Sequence, residues 1–270
     1  MPNLPPLRDV IKRHGLGAKK SLSQHFLLDP NLCDRIARAA GDLNNVTVIE
    51  IGPGPGGLTR SLLKSAAVKV ITVERDKRCI PALHELADAY PKRLDIIEGD
   101  ALETDIWGLG AAPRRIVANL PYNVATPLLI GWMRHLEAFS GLTLMFQKEV
   151  ADRLAAKPGS KDYGRLSVIT QWLAEVQLEF NISKDAFTPP PKVASSVVSI
   201  IPRAEPLVAC QWVALETVTQ AAFGQRRKML RSSVKKLGLD LQSLGIDPTA
   251  RAEELSVQQF CRMAQAYSQQ

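Results

Sequence analysis

No apolar stretch of this 270-residue chain approaches the ~18 to 20 uncharged residues that a membrane-spanning helix needs, and the opening MPNLPPLRDVIKRHG lacks the apolar run of a secretory signal. Neither a membrane nor an export role is expected. Cysteine is scarce: Cys33, Cys79, Cys210 and Cys261 stand far apart, with no C-x-x-C pair and no histidine nearby at ligand spacing. That pattern leaves out zinc frameworks and disulfide scaffolds, so no metal is expected and a reducing cytoplasm is the natural home. Internal repeats and low-complexity tracts are also missing, which sets aside solenoids and propellers.

What remains is an ordinary globular composition, 46% hydrophobic and 23% charged. At a typical ~150 residues per domain the length suits one large domain, or one with an appendage. Basic residues outnumber acidic ones by 34 to 27, a net charge of +7 that tilts the surface field toward polyanions such as nucleic acid.

Along the chain, short β-branched runs at Val46 to Ile51, Val68 to Val73, Leu94 to Ile97, Arg115 to Ala118 and Leu142 to Phe146 are separated by helix-length segments. Asp29-Pro30 and Thr126-Pro127 each read as a helix start, with a capping side chain followed by proline at the first helical position. Alternating strands and helices predict an α/β fold with a mostly parallel sheet. Two further strands, Glu175 to Ile182 and Ser195 to Ile201, are joined by a loop with Pro189-Pro190-Pro191 that is too short for a crossover helix, so an antiparallel hairpin is expected at the sheet's edge. Pro202 to Pro206 reads as a linker, giving domains 1–206 and 207–270, the second small and all helical.

The first of these strands ends in Glu50-Ile51-Gly52-Pro53-Gly54-Pro55-Gly56-Gly57 and runs straight into a helix. Gly52, Gly54 and Gly57 satisfy G-x-G-x-x-G, a turn that lets a ligand approach backbone amides, and Glu74, about 20 residues on at the next strand's end, is placed to bind ribose hydroxyls. An oxidoreductase using NAD shows the same pattern. Asp100, after the third strand, suits either an adenine amino group or a helix cap before Ala101. Asn119-Leu120-Pro121-Tyr122, closing the fourth strand, discriminates. An exocyclic adenine nitrogen is a poor nucleophile because its lone pair is delocalised into the ring. If the Asn119 side-chain oxygen and the Leu120 carbonyl each accept one of its N–H groups, the lone pair is freed toward an electrophilic methyl while Tyr122 stacks on the base; Pro121 fixes the carbonyl before it.

Taken in order, these segments resemble the small-subunit ribosomal RNA adenine dimethyltransferases, the kasugamycin-sensitivity enzymes. The likeness runs through Ser23-Gln24-His25-Phe26-Leu27, the glycine loop, Asn119 to Tyr122, Gln147 to Val150, Tyr163 to Ser167, Phe187 to Val193 and Phe223 to Lys228. It implies a Rossmann-like class I methyltransferase with S-adenosylmethionine held by His25, Leu27, Gly52, Gly54, Glu74, Asp100, Ala101 and Asn119. It also implies catalysis at Asn119, Leu120, Pro121 and Tyr122, with Phe187 stacking on the other face of a flipped base. The expected product is N6,N6-dimethyladenosine at two adjacent adenosines of a 3'-terminal hairpin loop in 16S rRNA. The expected partners are that RNA and the pre-ribosomal small subunit, with the enzyme a monomer. His25 departs from the family, which usually has Asn there, so the geometry of that contact is open.

Residues 224–237 contain six basic residues and no acidic one. Read as a helix, Leu230, Val234 and Leu237 form the packed stripe, and the basic set Arg226, Arg227, Lys228, Arg231 and Lys235 offers an RNA-binding surface, supplemented by Arg8, Lys12, Arg13, Lys19 and Lys20 of the N-terminal arm. The other readings weighed are a large-subunit rRNA adenine methyltransferase of the macrolide-resistance type and a non-catalytic ribosome-assembly factor on the same fold.

Overall fold

The computed structural model describes residues 2–19, 22 and 24–270; Lys20 and Ser23, both named above, lie outside the described residues. The chain divides into two compact units, residues 1–151 with 178–201, and residues 152–177 with 202–270.

The first unit is built on a seven-stranded sheet. Its five parallel strands are β2 (Thr47–Ile51), β3 (Lys69–Glu74), β4 (Leu94–Glu98), β5 (Arg114–Asn119) and β6 (Gly141–Gln147). The spatial order is β4-β3-β2-β5-β6, followed by β9 (Ser195–Pro202), antiparallel to β6, and β7 (Ala174–Ile182) at the edge. The last two strands are thus sheet neighbours at the edge, as the short proline loop between them requires. Every residue of β2 is buried, as expected of a strand covered by helices on both faces. Val48, Val70 and Val117 of the sheet pack with Leu58, Leu62, Leu83 and Leu86 of helices α3 (Gly57–Lys64) and α4 (Ile80–Ala89) in one core. A separate two-stranded ladder pairs β1 (Phe26–Leu27) with β8 (Phe187–Thr188), setting Leu27 opposite Phe187.

Helix starts follow local chemistry, with one correction. Asp29 caps α2 (Pro30–Ala39) by accepting the Asn31 N–H at 2.9 Å, with Pro30 in the first turn. The expected start at Thr126-Pro127 is wrong: α5 spans Tyr122–Met133 and carries Pro127 in its interior. The Pro121 carbonyl accepts the N–H groups of Val124 and Ala125, both at 3.1 Å, so the helix begins as soon as the strand ends. The N–H that Pro127 lacks would have served Asn123, which is exposed, so water can satisfy that carbonyl.

The second unit differs from the expected boundary at 206/207, because residues 152–177 join it. Tyr163, Val168 and Trp172 share an apolar cluster with Leu215 and Val218 of α8 (Trp212–Phe223) and Phe260 of α10 (Val257–Ser268), and the Trp172 indole donates to the Val208 carbonyl at 2.8 Å. The continuous basic helix is also corrected. Residues 224–227 form turns, 228 and 229 are irregular, α9 covers only Leu230–Ser233, and a single 3-10 turn follows at Lys235–Leu237. The cause is competition for backbone donors: the N–H of Leu230 goes to the Ala250 carbonyl at 2.8 Å and that of Arg231 to Pro248 at 3.1 Å, so neither reaches back to residues 226 and 227. Leu230 and Val234 are buried as expected, and Leu237 is half-buried.

Candidate active site

In the first unit the strand order reverses between β2 and β5, each parallel to the other, and the crevice beyond their carboxyl ends is where ligands bind in such sheets. A cleft of about 150 Å³ opens there. It is lined by His25, Leu27, Gly52, Gly54, Glu74, Asp100, Ala101, Asn119, Leu120, Pro121 and Tyr122, so the structure brings together eleven residues proposed from five separate segments. Phe187 is not among them. Its ring is 3% exposed and packs in the core with Leu27, Leu58 and Val197, because the β1–β8 ladder turns it inward.

The glycine loop is cradled rather than merely flexible. Gly54 has φ +57°, a region that disfavours a side chain, and its N–H donates to Glu74 Oε2 at 2.8 Å. At Gly57 the reason is close approach: an added Cβ would stand 2.5 Å from the Leu27 carbonyl oxygen. The other oxygen of Glu74 accepts the Asp76 N–H at 2.7 Å. Burial pushes the Glu74 carboxyl up from its ordinary value, and these backbone donors pull it part of the way back. With about four lone-pair sites on a carboxylate and two used, Glu74 keeps capacity for a diol.

Of the two roles open to Asp100 the structure shows the cap, on a turn rather than a helix. Its Oδ1 caps the following turn by accepting the Leu102 N–H at 3.0 Å, while Oδ2 faces Arg75 Nη1 at 3.0 Å. Arg75 is 67% exposed, so this ion pair adds little to stability and can yield to a ligand.

The catalytic loop is held by its neighbours. Asn119 donates from Nδ2 to the His25 carbonyl at 3.2 Å, which commits the amide nitrogen to the framework and turns Oδ1 into the acceptor available to a ligand. His25 Nδ1 donates to the Pro189 carbonyl at 2.7 Å, and its ring stacks on Tyr122 with centroids 5.6 Å apart and planes inclined by 29°. The His25 imidazole is thus placed by two contacts within the protein, with Pro189 and with Tyr122.

In the sequence Glu50 stands out only as the start of the glycine motif. It lines the cleft, is 2% exposed, and its Oε2 has no hydrogen-bond partner. Burial pushes its carboxyl up to about 8; the Thr59 hydroxyl tempers the shift without making a hydrogen bond of ordinary geometry, and nearby Glu74 adds to it. The signal was a carboxylate inside a β-branched run buried on both faces, where an unpaired charge is costly unless a ligand meets it.

Of the basic residues, Arg226 is engaged within the second unit, donating to the carbonyls of Lys161 and Tyr163 at 2.9 and 3.2 Å and pairing with Glu253 at 3.3 Å. Arg227, Lys228, Arg231 and Lys235 are exposed. Among the described residues no group of three or more His, Cys, Asp or Glu is arranged to hold a metal ion, and no helix is long and apolar enough to cross a membrane.

A parallel sheet that reverses beside a glycine cradle, with N-L-P-Y ending the strand across the crevice, defines a Rossmann-like class I methyltransferase. Comparison with known proteins narrows the class. The family described as ribosomal RNA adenine dimethylase matches residues 15–269, and the chain belongs to that family. It is 62% identical to the ribosomal RNA small subunit methyltransferase A of Rhodospirillum rubrum, over 97% of this chain and 92% of that protein. Identity is also 62% to the protein of the same name from Paramagnetospirillum magneticum, over 98% and 96%. Among solved structures, a dimethyladenosine transferase from Plasmodium falciparum superposes with a TM-score of 0.77 at 27% identity, covering 91% of this chain and 98% of that one. The 23S rRNA methyltransferase ErmE gives 0.70 at 26%, covering 91% and 100%.

Proposed function

We propose that this protein transfers methyl groups from S-adenosylmethionine to the N6 atoms of two adjacent adenosines in the 3'-terminal hairpin loop of small-subunit rRNA, two methyls per base, acting as a monomer on the pre-ribosomal small subunit in the cytoplasm. The observation that carries it is the Asn119 amide, whose Nδ2 is spent on the His25 carbonyl at 3.2 Å so that Oδ1 is left to accept from an amino group. The high identity to small-subunit methyltransferases, against 26% to the 23S enzyme, favours the small-subunit substrate over the large-subunit alternative.

The residues present fit the cofactor. Glu74 has lone pairs for a ribose diol, and Asp100 an oxygen for an adenine amino group. Glu50 is a buried carboxyl without a partner, suited to an ammonium. Bound S-adenosylmethionine supplies a methyl on an electron-poor sulfonium. In the first transfer Asn119 Oδ1 and the Leu120 carbonyl accept the two amino N–H groups of the target, and in the second one of them accepts the single N–H that remains, which localises the nitrogen lone pair. Tyr122 offers the stacking face, and Pro121 fixes the carbonyl that precedes it. No side chain need act as a strong base, because the methylated ammonium loses its proton readily to water. The work of the protein is positioning.

Mass mapping of rRNA methylated in vitro with labelled cofactor tests the proposal. The expected result is label confined to small-subunit RNA, as two dimethylated adenosines. Label in large-subunit RNA, or none, would overturn it.

The exposed basic segment is the proposed RNA surface. Reversing Arg227 and Arg231 to glutamate is expected to weaken binding to small-subunit RNA and to reduce the slope of log affinity against log salt by about 0.7 to 0.9 for each phosphate that is no longer neutralised. Cofactor affinity and melting temperature should hold. A wild-type salt slope in the double variant would move the RNA surface to the N-terminal arm or to the rim of the cleft.

A further inference from the structure

Ser195 opens β9, opposite Gln147 of β6, and is fully buried. Its hydroxyl lies 2.6 Å from the Tyr122 hydroxyl. Two other serines of the same strand use their side chains within the framework: Ser196 donates to the Asn181 side chain at 2.7 Å and Ser199 contacts the Ala39 carbonyl at 3.4 Å. Ser195 alone of the three is directed to the N-L-P-Y loop. We infer that Ser195 is a positioning residue, which acts through the Tyr122 hydroxyl to fix where the ring that stacks on the target base sits. The inference rests on the function proposed above and deepens it.

Tyr122 is the first residue of α5, so its backbone is placed by Pro121, but its ring is not. A tyrosine ring held only at its root can move between staggered χ1 wells, which carries the whole ring away from a stacking partner. A hydrogen bond at the far end removes that freedom. Burial pushes the Tyr122 phenol up from its ordinary value and the Ser195 contact pulls it back, the behaviour of a hydroxyl that is half shielded from water and has one protein partner. The opposite side of the arrangement is tied by the same segment of chain. Pro189, six residues before Ser195, takes the His25 Nδ1–H at 2.7 Å and so fixes the ring that stacks on Tyr122. Residues 189–195 therefore bracket the aromatic pair, with a carbonyl on His25 and a hydroxyl on Tyr122. A serine that begins a strand reads in the sequence as ordinary solvation; the role of Ser195 follows from the 2.6 Å contact across 73 positions.

The test uses the full chain, small-subunit rRNA and labelled S-adenosylmethionine, with Ser195→Ala, Ser195→Thr, Tyr122→Phe and the Ser195→Ala/Tyr122→Phe double variant. Ser195→Ala is expected to lower kcat about 10- to 100-fold, the scale of a misplaced reactant, with KM for RNA and cofactor affinity little changed. Ser195→Thr, which keeps the hydroxyl, is expected to restore most of the rate. Tyr122→Phe should match Ser195→Ala, and the double variant should be no slower than either, because both remove one and the same bond. Multiplied losses in the double variant, or an unchanged kcat in Ser195→Ala, would overturn the inference. Should Ser195→Ala fold poorly, Tyr122→Phe against Ser195→Thr reads the same bond from its other end. The wild-type control separates the two claims: if it methylates no adenosine the proposed function falls, whereas full activity in Ser195→Ala removes only the role of Ser195.

Discussion

Replacing Asn119 by alanine is expected to lower turnover by about 10²- to 10³-fold while RNA binding persists, the loss typical of removing one preorganised polar group that acts on charge developing in the transition state. The expectation follows from how the amide is used. Its nitrogen is spent on the His25 carbonyl, so truncation removes the oxygen directed at the substrate and also releases one framework contact. The second effect is the smaller one, since it removes a single long contact at a half-buried residue. Single-turnover rates with bound RNA are the measurement. Near wild-type dimethylation by Asn119→Ala would show that the amino group is activated in some other way.

Replacing Glu74 by alanine is expected to act earlier, on binding. Loss of a carboxylate that accepts from a ribose diol weakens cofactor affinity by about 1 to 3 kcal/mol, roughly 5- to 150-fold, as read by titration calorimetry with S-adenosylmethionine. A second consequence separates Glu74 from a residue that touches only ligand. The N–H groups of Gly54 and Asp76 both donate to it, so the variant leaves two backbone donors without their acceptor, and the melting temperature of the protein alone should fall as well. Unchanged affinity would remove Glu74 from the cofactor site, whatever happens to stability.

Much of the site was legible because it lies at strand ends, where periodicity and turn residues mark the chain in one dimension. Gly52, Gly54, Glu74, Asp100 and Asn119 each close or follow a β-branched run, and parallel pairing then carries all of them to one edge. The parts that were not legible depend on partners distant in the chain. Phe187 matched a motif, yet its pairing with Leu27, 160 positions earlier, turns the ring into the core. Residues 224–237 carry a helical pattern of apolar residues, but the carbonyls of Pro248 and Ala250 take the donors that would have propagated the helix. At Pro127 a familiar helix-start pair was outcompeted by an earlier one, the Pro121 carbonyl. The boundary near 206 is visible as a proline-bounded linker, whereas the migration of residues 152–177 to the second unit is decided by where Tyr163 and Trp172 find apolar neighbours.

Glu50 links folding to solution conditions. An unfolded chain ionises this carboxyl near its ordinary 4.5, whereas the folded chain holds its proton up to about 8. A raised value of this kind favours the native state fully below 4.5, and the advantage drains away as pH climbs through that window. Near neutrality, then, acquiring the native fold takes up a proton from solvent at the end of β2. A cation seated against the same carboxyl gives that proton back. Protonation and cation capture become alternative ways of settling one buried group, so the acid that stabilises the protein by itself is, through the same residue, a competitor of the positively charged molecule it is built to hold.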